Sequence, residues 1–477
     1  MFQFSSRRRF CPKDHWLIYG LDTESFSSAV VAEEYALEEN DSSSSSHTDG
    51  ITSAFERRRL QHVKQTMSKA RLAMVSPRLG LLNNIPFVIS FEHRVQIFRM
   101  FVNNDRRRND ILDALDYVRP HAEVQIRRQH VFEDGFNQLY KLGPDLKKKI
   151  AIIFIDSFGL MESGIDGGGV FKEFLTSLGH EAFNTDYGLF SSTPDQLLYP
   201  NPSSFATEGS QLAYFEFLGL IIGKALYEGI LLDVAFAEFF LKKCLGKINY
   251  LDDLPSLDPE LYKGLIQVKN FKGNVEDLCL DFTLTENEAD QPRVINLIPN
   301  GSNVLVTNQN RIRYVYLVAN YRLNVQIAKQ CKAFFNGLST IVDTKWLRMF
   351  NQQELQVMLG GASVPIDIGD LRQHTIYADY NDTDPVIQNL WRALSSFSNE
   401  ERMKFVKFVT SCSRPPILGF KELQPQICIR RAGRDESRLP TSSTCVNLLK
   451  LPSYSTYDIL REKLLYSINA DAGFDLS

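Results

Sequence analysis

The segment 214–241 limits what this chain can fold into, because it is rich in Phe, Leu and Ile and yet is interrupted by charges. It contains Gly219-x-x-x-Gly223, the spacing with which membrane helices often pair. Charged side chains would be costly at the centre of a bilayer, and the segment has Glu216, Lys224, Glu228, Asp233 and Glu238. It therefore predicts buried helices of a soluble domain, whose glycines allow close packing, and we expect no membrane partner.

The size and charge of the chain narrow its class further. A length of 477 residues suffices for two or three domains. The net charge of −4 provides no general attraction to nucleic acid, which we do not expect as a partner. The seven cysteines lie far apart without a C-x-x-C pair, so no disulfide framework and no metal site is indicated. No apolar stretch follows the basic residues 1–16, so they do not resemble a signal peptide, and we expect a cytoplasmic protein, also found in the nucleus, with no cofactor.

Residues 1–121 are predicted to form a partly disordered N-terminal extension. Serines 42–46 follow an acidic stretch and predict a solvated linker near 38–50. A helix with a basic face is predicted near 60–74, and it is interpreted as solvent-exposed because no aromatic residues are interleaved for stacking on bases. Another helix is predicted at 91–102, capped by Ser90.

A strand at 150–155, a glycine-rich loop at 164–169 and an apolar helix at 170–178 follow one another. This order is typical of phosphate-binding sites. The loop, however, contains neither G-x-x-x-x-G-K-[ST] nor G-x-G-x-x-G. What remains is a turn that presents two acids, Asp166 and Glu173. Spacing alone favours turn hydrogen bonds for Asp166 and a solvent-facing Glu173.

The C-terminal region is predicted to be a small α/β domain beyond a hinge. Two glycines and a proline within 360–365 interrupt the helical pattern. The predicted elements that follow are a helix at 399–410 with a capping box of Ser398 and Glu401, a strand at 427–430 and a helix at 456–469.

Cys445 is the strongest candidate for a reactive group. It follows Pro440 and four small hydroxyl residues, which predict an exposed loop, although most free cysteines are structural. A phosphatase-type anion cradle needs an Arg six residues later, where Leu451 stands. A cysteine protease needs a His, and none follows Cys445; the nearest upstream is His374. A thiol of ordinary pKa without a strong base suits an acyl acceptor that attacks an activated thioester.

Several long motifs occur in a fixed order along the chain. They are Arg127-Arg128, Gly164-x-Asp166-x-Gly168-Gly169-x-x-Lys172-Glu173-Phe174, Leu198-Tyr199-Pro200-Asn201-Pro202, Gly223-Lys224-Ala225-Leu226-Tyr227-Glu228, Phe408-Val409-Thr410-Ser411-Cys412-Ser413-Arg414-Pro415-Pro416, and Leu439-Pro440-Thr441-x-x-Thr444-Cys445-x-Asn447. With these motifs the chain from about residue 122 onward resembles the HECT-type ubiquitin ligases, and most of all the branch called ubiquitin ligase 3C. Ser443 stands where many members carry a His, which leaves no role for a histidine in this loop.

The resemblance implies an α+β fold with two lobes. A mostly helical N-lobe is expected at 122–361, with a subdomain near 245–315 that docks a ubiquitin-conjugating enzyme. A hinge at 362–368 then leads to a small α/β C-lobe at 369–477, which carries the cysteine. A hinge is needed because Cys445 must face the conjugating enzyme first and a substrate lysine later.

The implied activity is ubiquitin transfer in two steps. Cys445 would accept ubiquitin from the conjugating enzyme as a thioester and pass it to a lysine of a substrate protein. The expected partners are ubiquitin, the conjugating enzyme and substrate proteins, with the proteasome as a further candidate. Polyubiquitin chains that direct degradation are expected, with lysine-48 and lysine-29 linkages the first to test.

The resemblance also assigns roles to individual residues. Asp166 and Glu173 are candidates for orienting and deprotonating the attacking lysine, Thr444 for positioning the thioester carbonyl, and Phe474 for anchoring the C-lobe. For Phe474, packing on its own lobe is an equal alternative. The docking groove is expected to consist of Leu261, Leu265, Phe271, Leu278 and Tyr314, as exposed apolar residues or, for some of them, as the core of that subdomain.

Two other functions remain open from the sequence. A cysteine hydrolase of the deubiquitinase type would use the same thiol and release ubiquitin to water, and a non-catalytic scaffold would bind ubiquitin without chemistry. The missing His disfavours the hydrolase. Because only about 120 residues precede the family-like region, where substrates are normally selected, a fragment or short isoform is expected.

Overall fold

The computed structural model describes residues 15–18, 25–33, 77–109, 121–162, 169–206, 209–288, 291–362 and 364–469. The predicted serine-rich linker near 38–50 and the helix near 60–74 lie outside these residues. The chain forms two compact units. One consists of Met1–Leu112 with Asp343–Asn351, and the other of Asp113–Val342 with Gln352–Ser477.

The first unit contains helices α1 (25–33), α2 (Pro77–Asn84) and α3 (Phe91–Arg108). Ser90 Oγ accepts from His93 N at 3.3 Å, which confirms the predicted cap, and α3 continues six residues beyond the predicted end. Its apolar face packs on the segment Asp343–Asn351, where Phe101 stacks on Trp346 with ring centroids 5.6 Å apart. The segment Asp343–Asn351, which was expected to belong to the N-lobe, therefore shares a core with α3.

The second unit is built on helices. In chain order they are α4 (Val131–Leu139), α5 (Gly169–Ala182), α6 (Ala213–Glu228), α7 (Glu238–Cys244), α8 (Pro259–Asn270), α9 (Arg311–Asn320), α10 (Ala328–Ile341), α11 (Gln352–Gly360), α12 (Ile368–Gln373), α13 (Pro385–Ser396), α14 (Asn399–Thr410) and α15 (Tyr457–Asn469). A π-helical turn, Tyr321–Val325, follows α9.

Helices α6 and α10 form the centre of this unit. α6 is buried almost throughout, as its apolar sequence predicts. A Cβ atom at Gly219 would overlap the carbonyl oxygen of Phe334, and one at Gly337 would overlap that of Glu216. The glycines thus permit backbone-to-backbone contact between the two helices, as the spacing Gly219-x-x-x-Gly223 predicts. Among the described residues, no helix combines the length and the apolar character that a membrane crossing requires.

Three two-stranded sheets lie between the helices of the N-lobe, a name used here for residues 121–342 and 352–361. Strands β1 (Ala122–Arg127) and β2 (Ile150–Ile155) pair in parallel; β3 (Phe190–Ser192) with β4 (Leu198–Pro200), and β5 (Thr283–Glu288) with β6 (Gln291–Asn296), pair antiparallel. The predicted strand at 150–155 is confirmed, and its residues alternate between buried and half-buried positions.

The C-lobe, residues 364–469, has one four-stranded sheet in the order β7-β8-β10-β9. Its strands are β7 (Thr375–Ala378), β8 (Ile427–Arg431), β9 (Thr441–Ser443) and β10 (Leu448–Leu451). The capping box of Ser398 and Glu401 is present at the start of α14. Short sheets within a mostly helical chain confirm the predicted α+β class.

The exposed loop predicted before Cys445 is wrong in part. Thr441–Ser443 forms the edge strand β9, antiparallel to β10, with Ser443 opposite Leu448. An edge strand needs backbone partners on one side only, and threonine suits extended backbone. Small hydroxyl side chains therefore do not prevent a strand here.

The predicted hinge lies where the two lobes contact each other. Gly361 has φ +82°, a left-handed conformation that favours glycine. Ala362 N donates to the Pro415 carbonyl oxygen at 2.9 Å, so the start of the hinge is paired with the C-lobe. Across the lobes, Lys407 Nζ lies 3.1 Å from Asp233 Oδ2, and the hydroxyl oxygens of Thr176 and Ser411 lie 3.3 Å apart.

The contact between α6 and α10 generates a stability prediction. Gly219→Ala should lower the free energy of unfolding by more than about 2 kcal/mol, because the new methyl group meets backbone that cannot move aside. Gly264→Ala in α8 is the matched control: its Cβ meets nothing within 4 Å, and alanine should stabilise the helix by up to about 1 kcal/mol. Urea denaturation of both variants measures the difference, and equal unfolding midpoints would contradict the close-packing interpretation.

Candidate functional site

Cys445 lies on a short turn that is held in place from both sides. Strand β9 leads into the 3-10 turn Thr444–Val446, and the chain then passes through Asn447, whose φ is +50°. Asn447 is 1% exposed. Its Nδ2 donates to the Pro425 carbonyl oxygen at 2.5 Å, and its carbonyl oxygen accepts from Cys428 N at 2.9 Å. We call the residues 444–447 the cysteine turn.

The thiol of Cys445 is half-buried, in contrast to the exposed thiol that the sequence predicts. Burial raises its pKa above the usual range, the negative charge of Glu173 raises it further, and the positive charge of Lys172 lowers it. Within the described residues, no histidine is among the groups that shift this pKa. His374 instead pairs with Asp370, the two side chains lying 2.9 Å apart. At neutral pH the group is therefore mainly a protonated thiol without a base.

Glu173 extends from α5 and is held by Arg128. Arg128 Nη1 donates to Glu173 Oε1 at 2.7 Å. The same guanidinium donates to both carboxylate oxygens of Glu162, at 2.5 and 2.6 Å, and lies over the ring of Phe154 at 4.3 Å from its centroid. The solvent-facing position that spacing favoured for Glu173 is therefore wrong, because β1 places an arginine beside it. A paired carboxylate is thus aligned near the thiol.

Lys172 contacts the cysteine turn, and sequence reasoning assigned it no role. It precedes Glu173 in α5 and is buried, and its Nζ donates to Asn447 Oδ1 at 2.6 Å and to the Thr444 carbonyl oxygen at 3.3 Å. Burial lowers the pKa of this ammonium to about 8. The available signal was a lysine directly after the apolar pair Val170-Phe171 in α5. Its bonds bring α5 and the cysteine turn together.

Of the other predicted catalytic residues, the structure describes Thr444 alone. Thr444 opens the cysteine turn, and its carbonyl oxygen accepts from both Lys172 Nζ and Asn447 N. Asp166 and Phe474 lie outside the described residues, and their roles stay predictions. The described residues include no group of three or more His, Cys, Asp and Glu side chains arranged to hold a metal ion.

The predicted docking residues divide into two sets. Leu265 and Tyr314 are buried at 4% and 8% exposure, and Tyr314 packs edge-on against Phe282. For these two residues the alternative of a subdomain core applies, because they pack between α8 and α9. Phe271 and Leu278 are exposed at 36% and 37%, and Leu261 is half-buried. We call Phe271 and Leu278 the docking patch.

The raised pKa of Cys445 generates a prediction for its alkylation by iodoacetamide. The thiolate is the reactive form. Because burial and Glu173 both favour the protonated thiol, the rate should rise about tenfold per pH unit between about pH 7 and pH 9, without a plateau. Glu173→Gln removes a charge that raises the pKa, so it should accelerate the reaction about two- to fourfold at about pH 7.5.

Mass spectrometry of the peptide that contains Cys445 measures both rates. Cys279 is exposed and serves as the control within the same chain, since its rate should not change in the Glu173→Gln variant. A plateau below about pH 8, or a slower reaction of the variant, would show that the thiol has a lowered pKa instead.

The sequence of the chain matches one protein family and several known proteins. Residues 176–477 match the family described as HECT-domain (ubiquitin-transferase). The chain is 45% identical over 480 residues to the probable E3 ubiquitin protein ligase C167.07c of Schizosaccharomyces pombe, covering 100% of this chain and 44% of that protein. It is 42% identical over 416 residues to the E3 ubiquitin-protein ligase HUL5 of Saccharomyces cerevisiae, covering 84% and 45%.

A human relative shows the same partial coverage. The identity to ubiquitin-protein ligase E3B of Homo sapiens is 37% over 511 residues, covering 100% of this chain and 44% of that protein. The chain thus spans less than half the length of these curated relatives.

Proposed function

The chain belongs to the HECT family of ubiquitin transferases, and on that premise we propose that it is a ubiquitin-protein ligase with Cys445 as the acyl carrier. One observation carries the proposal: a half-buried thiol, with no histidine among the described groups that shift its pKa, lies on a fixed turn close enough to the carboxylate of Glu173 for that charge to raise its pKa. An acyl carrier needs such a thiol, because its acyl donor is already activated. A carboxylate nearby suits the amine that later attacks.

The first proposed step exchanges one thioester for another. The sulfur of Cys445, as thiolate, attacks the carbonyl carbon that joins ubiquitin to the cysteine of the conjugating enzyme. A C–S bond to Cys445 forms, the bond to the donor sulfur breaks, and the donor leaves as a thiolate that takes up the proton lost by Cys445. The two thioesters are similar in energy, so geometry rather than a strong base determines the rate.

The second proposed step forms the isopeptide bond. The neutral amine of a substrate lysine attacks the thioester carbonyl carbon, the C–N bond forms, and the C–S bond breaks with its electron pair on Cys445. The amine loses one proton, which Glu173 is placed to accept and which ends on the sulfur. A lysine in water has a pKa of about 10.4 and is mostly protonated, so a nearby carboxylate both attracts the ammonium and removes its proton. Asp166 is proposed to share this role.

The contacts between the lobes place them in an arrangement that suits the second step. The cysteine turn is bonded to α5, the helix that carries Glu173. To meet a conjugating enzyme at the docking patch, the C-lobe would have to turn about the hinge. Gly361, with its left-handed backbone, provides a pivot at that point.

The rival functions receive less support. A hydrolase would need a base that activates water, and the groups that shift the pKa of Cys445 are Glu173 and Lys172 rather than a histidine. A scaffold would not need a fixed turn beside a paired carboxylate. We further propose that the product is polyubiquitin that directs proteins to the proteasome, as expected from the resemblance to the 3C branch. We also propose that the protein acts in the cytoplasm, as expected from the absence of a signal-peptide pattern in residues 1–16.

An assay with purified components tests the ligase proposal. The chain is incubated with activating enzyme, a panel of conjugating enzymes, ATP and ubiquitin, and the products are separated on reducing and non-reducing gels. We expect a ubiquitin adduct that a reducing agent removes, because the linkage is a thioester. Cys445→Ala should abolish it, and Cys445→Ser should replace it by an adduct that resists reduction. No adduct with any conjugating enzyme would reject the proposal, and cleavage of preformed chains would favour the hydrolase.

The docking patch generates a separate prediction. Phe271→Ala and Leu278→Ala should each slow thioester formation on Cys445 about tenfold or more, because exposed apolar side chains at the centre of an interface dominate its binding energy. Tyr466→Ala is the matched control, since Tyr466 is an exposed aromatic residue on α15. Single-turnover transfer from a preloaded conjugating enzyme measures the rate. Equal rates for all variants would show that the enzyme docks elsewhere.

A further inference from the structure

The ammonium of Lys172 has an unusual environment for a buried charge. Lys172 is 8% exposed, and its two acceptors, Asn447 Oδ1 and the Thr444 carbonyl oxygen, are both neutral. Within the described residues, no carboxylate forms an ion pair with it. Lys224, also buried, has the carboxylate of Glu228 at 2.5 Å. Burying an ammonium whose acceptors among the described residues are both neutral costs free energy, which favours a role for Lys172 beyond stability.

Both acceptors belong to the cysteine turn. Asn447 is itself fixed, because its side chain donates to the Pro425 carbonyl oxygen and its main chain accepts from Cys428 N. The bond from Lys172 Nζ to Asn447 Oδ1 is therefore a rigid connection between α5 of the N-lobe and the thiol-bearing turn of the C-lobe. It exists only while the turn faces α5. Any movement of the C-lobe toward a conjugating enzyme must break it.

We propose that Lys172 is a positioning residue for the transfer to substrate lysine alone, which locks the cysteine turn beside Glu173 and takes no part in loading ubiquitin onto Cys445. This inference rests on the proposed ligase function. The bond is intact in the arrangement in which the carboxylate can serve the attacking amine. It would be broken in any arrangement that turns Cys445 away from α5 toward a conjugating enzyme. The buried bond therefore stabilises the arrangement for transfer to the substrate lysine and not the arrangement for loading.

The positive charge of Lys172 favours the same step as its position does, the transfer to the substrate lysine. When the C–S bond breaks, negative charge develops on the sulfur of Cys445. Burial and Glu173 raise the pKa of that thiol, whereas Lys172 lowers it. A thiol of lower pKa is the better leaving group, so the ammonium eases the departure of the sulfur while the turn is locked.

A two-step assay tests the inference on the whole chain. Fluorescent ubiquitin is first loaded onto Cys445 from a preloaded conjugating enzyme, and the thioester is then discharged with free lysine. Lys172→Met keeps an unbranched side chain that is one atom shorter and removes the donors and the charge. We expect loading within about twofold of the parent chain, and discharge slower by about tenfold to a hundredfold, the factor expected from the loss of one hydrogen bond to a charged group.

Two further variants separate positioning from a general structural role. Lys172→Arg retains donors and charge and should keep discharge within about threefold of the parent chain. Lys407→Met is the matched control: Lys407 also pairs across the lobes, with Asp233, but on the surface, where such pairs contribute little, so both steps should stay within about twofold. Thermal melting of all variants checks their folding.

A double-variant cycle identifies the partner of Lys172. Asn447→Gly removes the acceptor and tolerates the positive φ. If the two side chains act through one bond, the combination of Lys172→Met and Asn447→Gly should be no slower in discharge than the slower single variant. Multiplied effects would mean that Lys172 acts without Asn447 and would overturn the assignment of Asn447 as the partner through which it holds the turn.

Three further outcomes of the two-step assay would count against the inference or against the ligase proposal. Discharge at the parent rate in Lys172→Met would overturn the inference and leave the ligase proposal intact. An equal loss of both steps in Lys172→Met and Lys172→Arg would also overturn it, by showing a structural role. A parent chain that forms no thioester would instead reject the ligase proposal itself.

Discussion

The contact between a buried ammonium and the cysteine turn determines the geometry around the reactive thiol. Lys172 reaches from α5 to Asn447 and Thr444, and Asn447 continues the connection into the sheet through Pro425 and Cys428. Charge-assisted hydrogen bonds are stronger and more directional than neutral ones, which makes this small contact stiff. Because Glu173 is the next residue along the same helix, the bond that places the turn also places the thiol near a carboxylate.

The groups around Cys445 shift the pKa of its thiol in opposite directions and do not strongly activate it. Burial and the negative charge of Glu173 raise the pKa of the thiol, and the positive charge of Lys172 opposes them. A hydrolase needs a strongly activated nucleophile and a base for water. An acyl carrier needs a sulfur that can both attack and leave, and a thiol near its ordinary reactivity is well suited to that. The carboxylate of Glu173, held by Arg128, is the group that we propose to serve the incoming amine.

The helical core provides a fixed base for this movable site. Helices α6 and α10 approach through Gly219 and Gly337 until their backbones touch, and such an interface cannot shift without large strain. Among the described residues, the contacts between the lobes include polar ones of a different kind: a surface ion pair, a pair of hydroxyls, the main-chain bond of Ala362 and the bond from Lys172. A few polar contacts around a flexible glycine are easily exchanged for others, whereas the packed helices are not.

Local sequence patterns were sufficient for the elements whose physics is local. The strand at 150–155, the caps at Ser90 and Ser398 and the close-packed glycines follow from periodicity, side-chain hydrogen bonds within one turn and the absence of a Cβ atom. The motif order by itself identified the family and made Cys445 the predicted acyl carrier. Only the tertiary structure decided that β9 is an edge strand, that Leu265 and Tyr314 are core residues and that Glu173 pairs with Arg128. It also decided the partner of Lys172, since Asn447 lies 275 residues away in the chain and no local pattern encodes which distant groups a buried charge will meet.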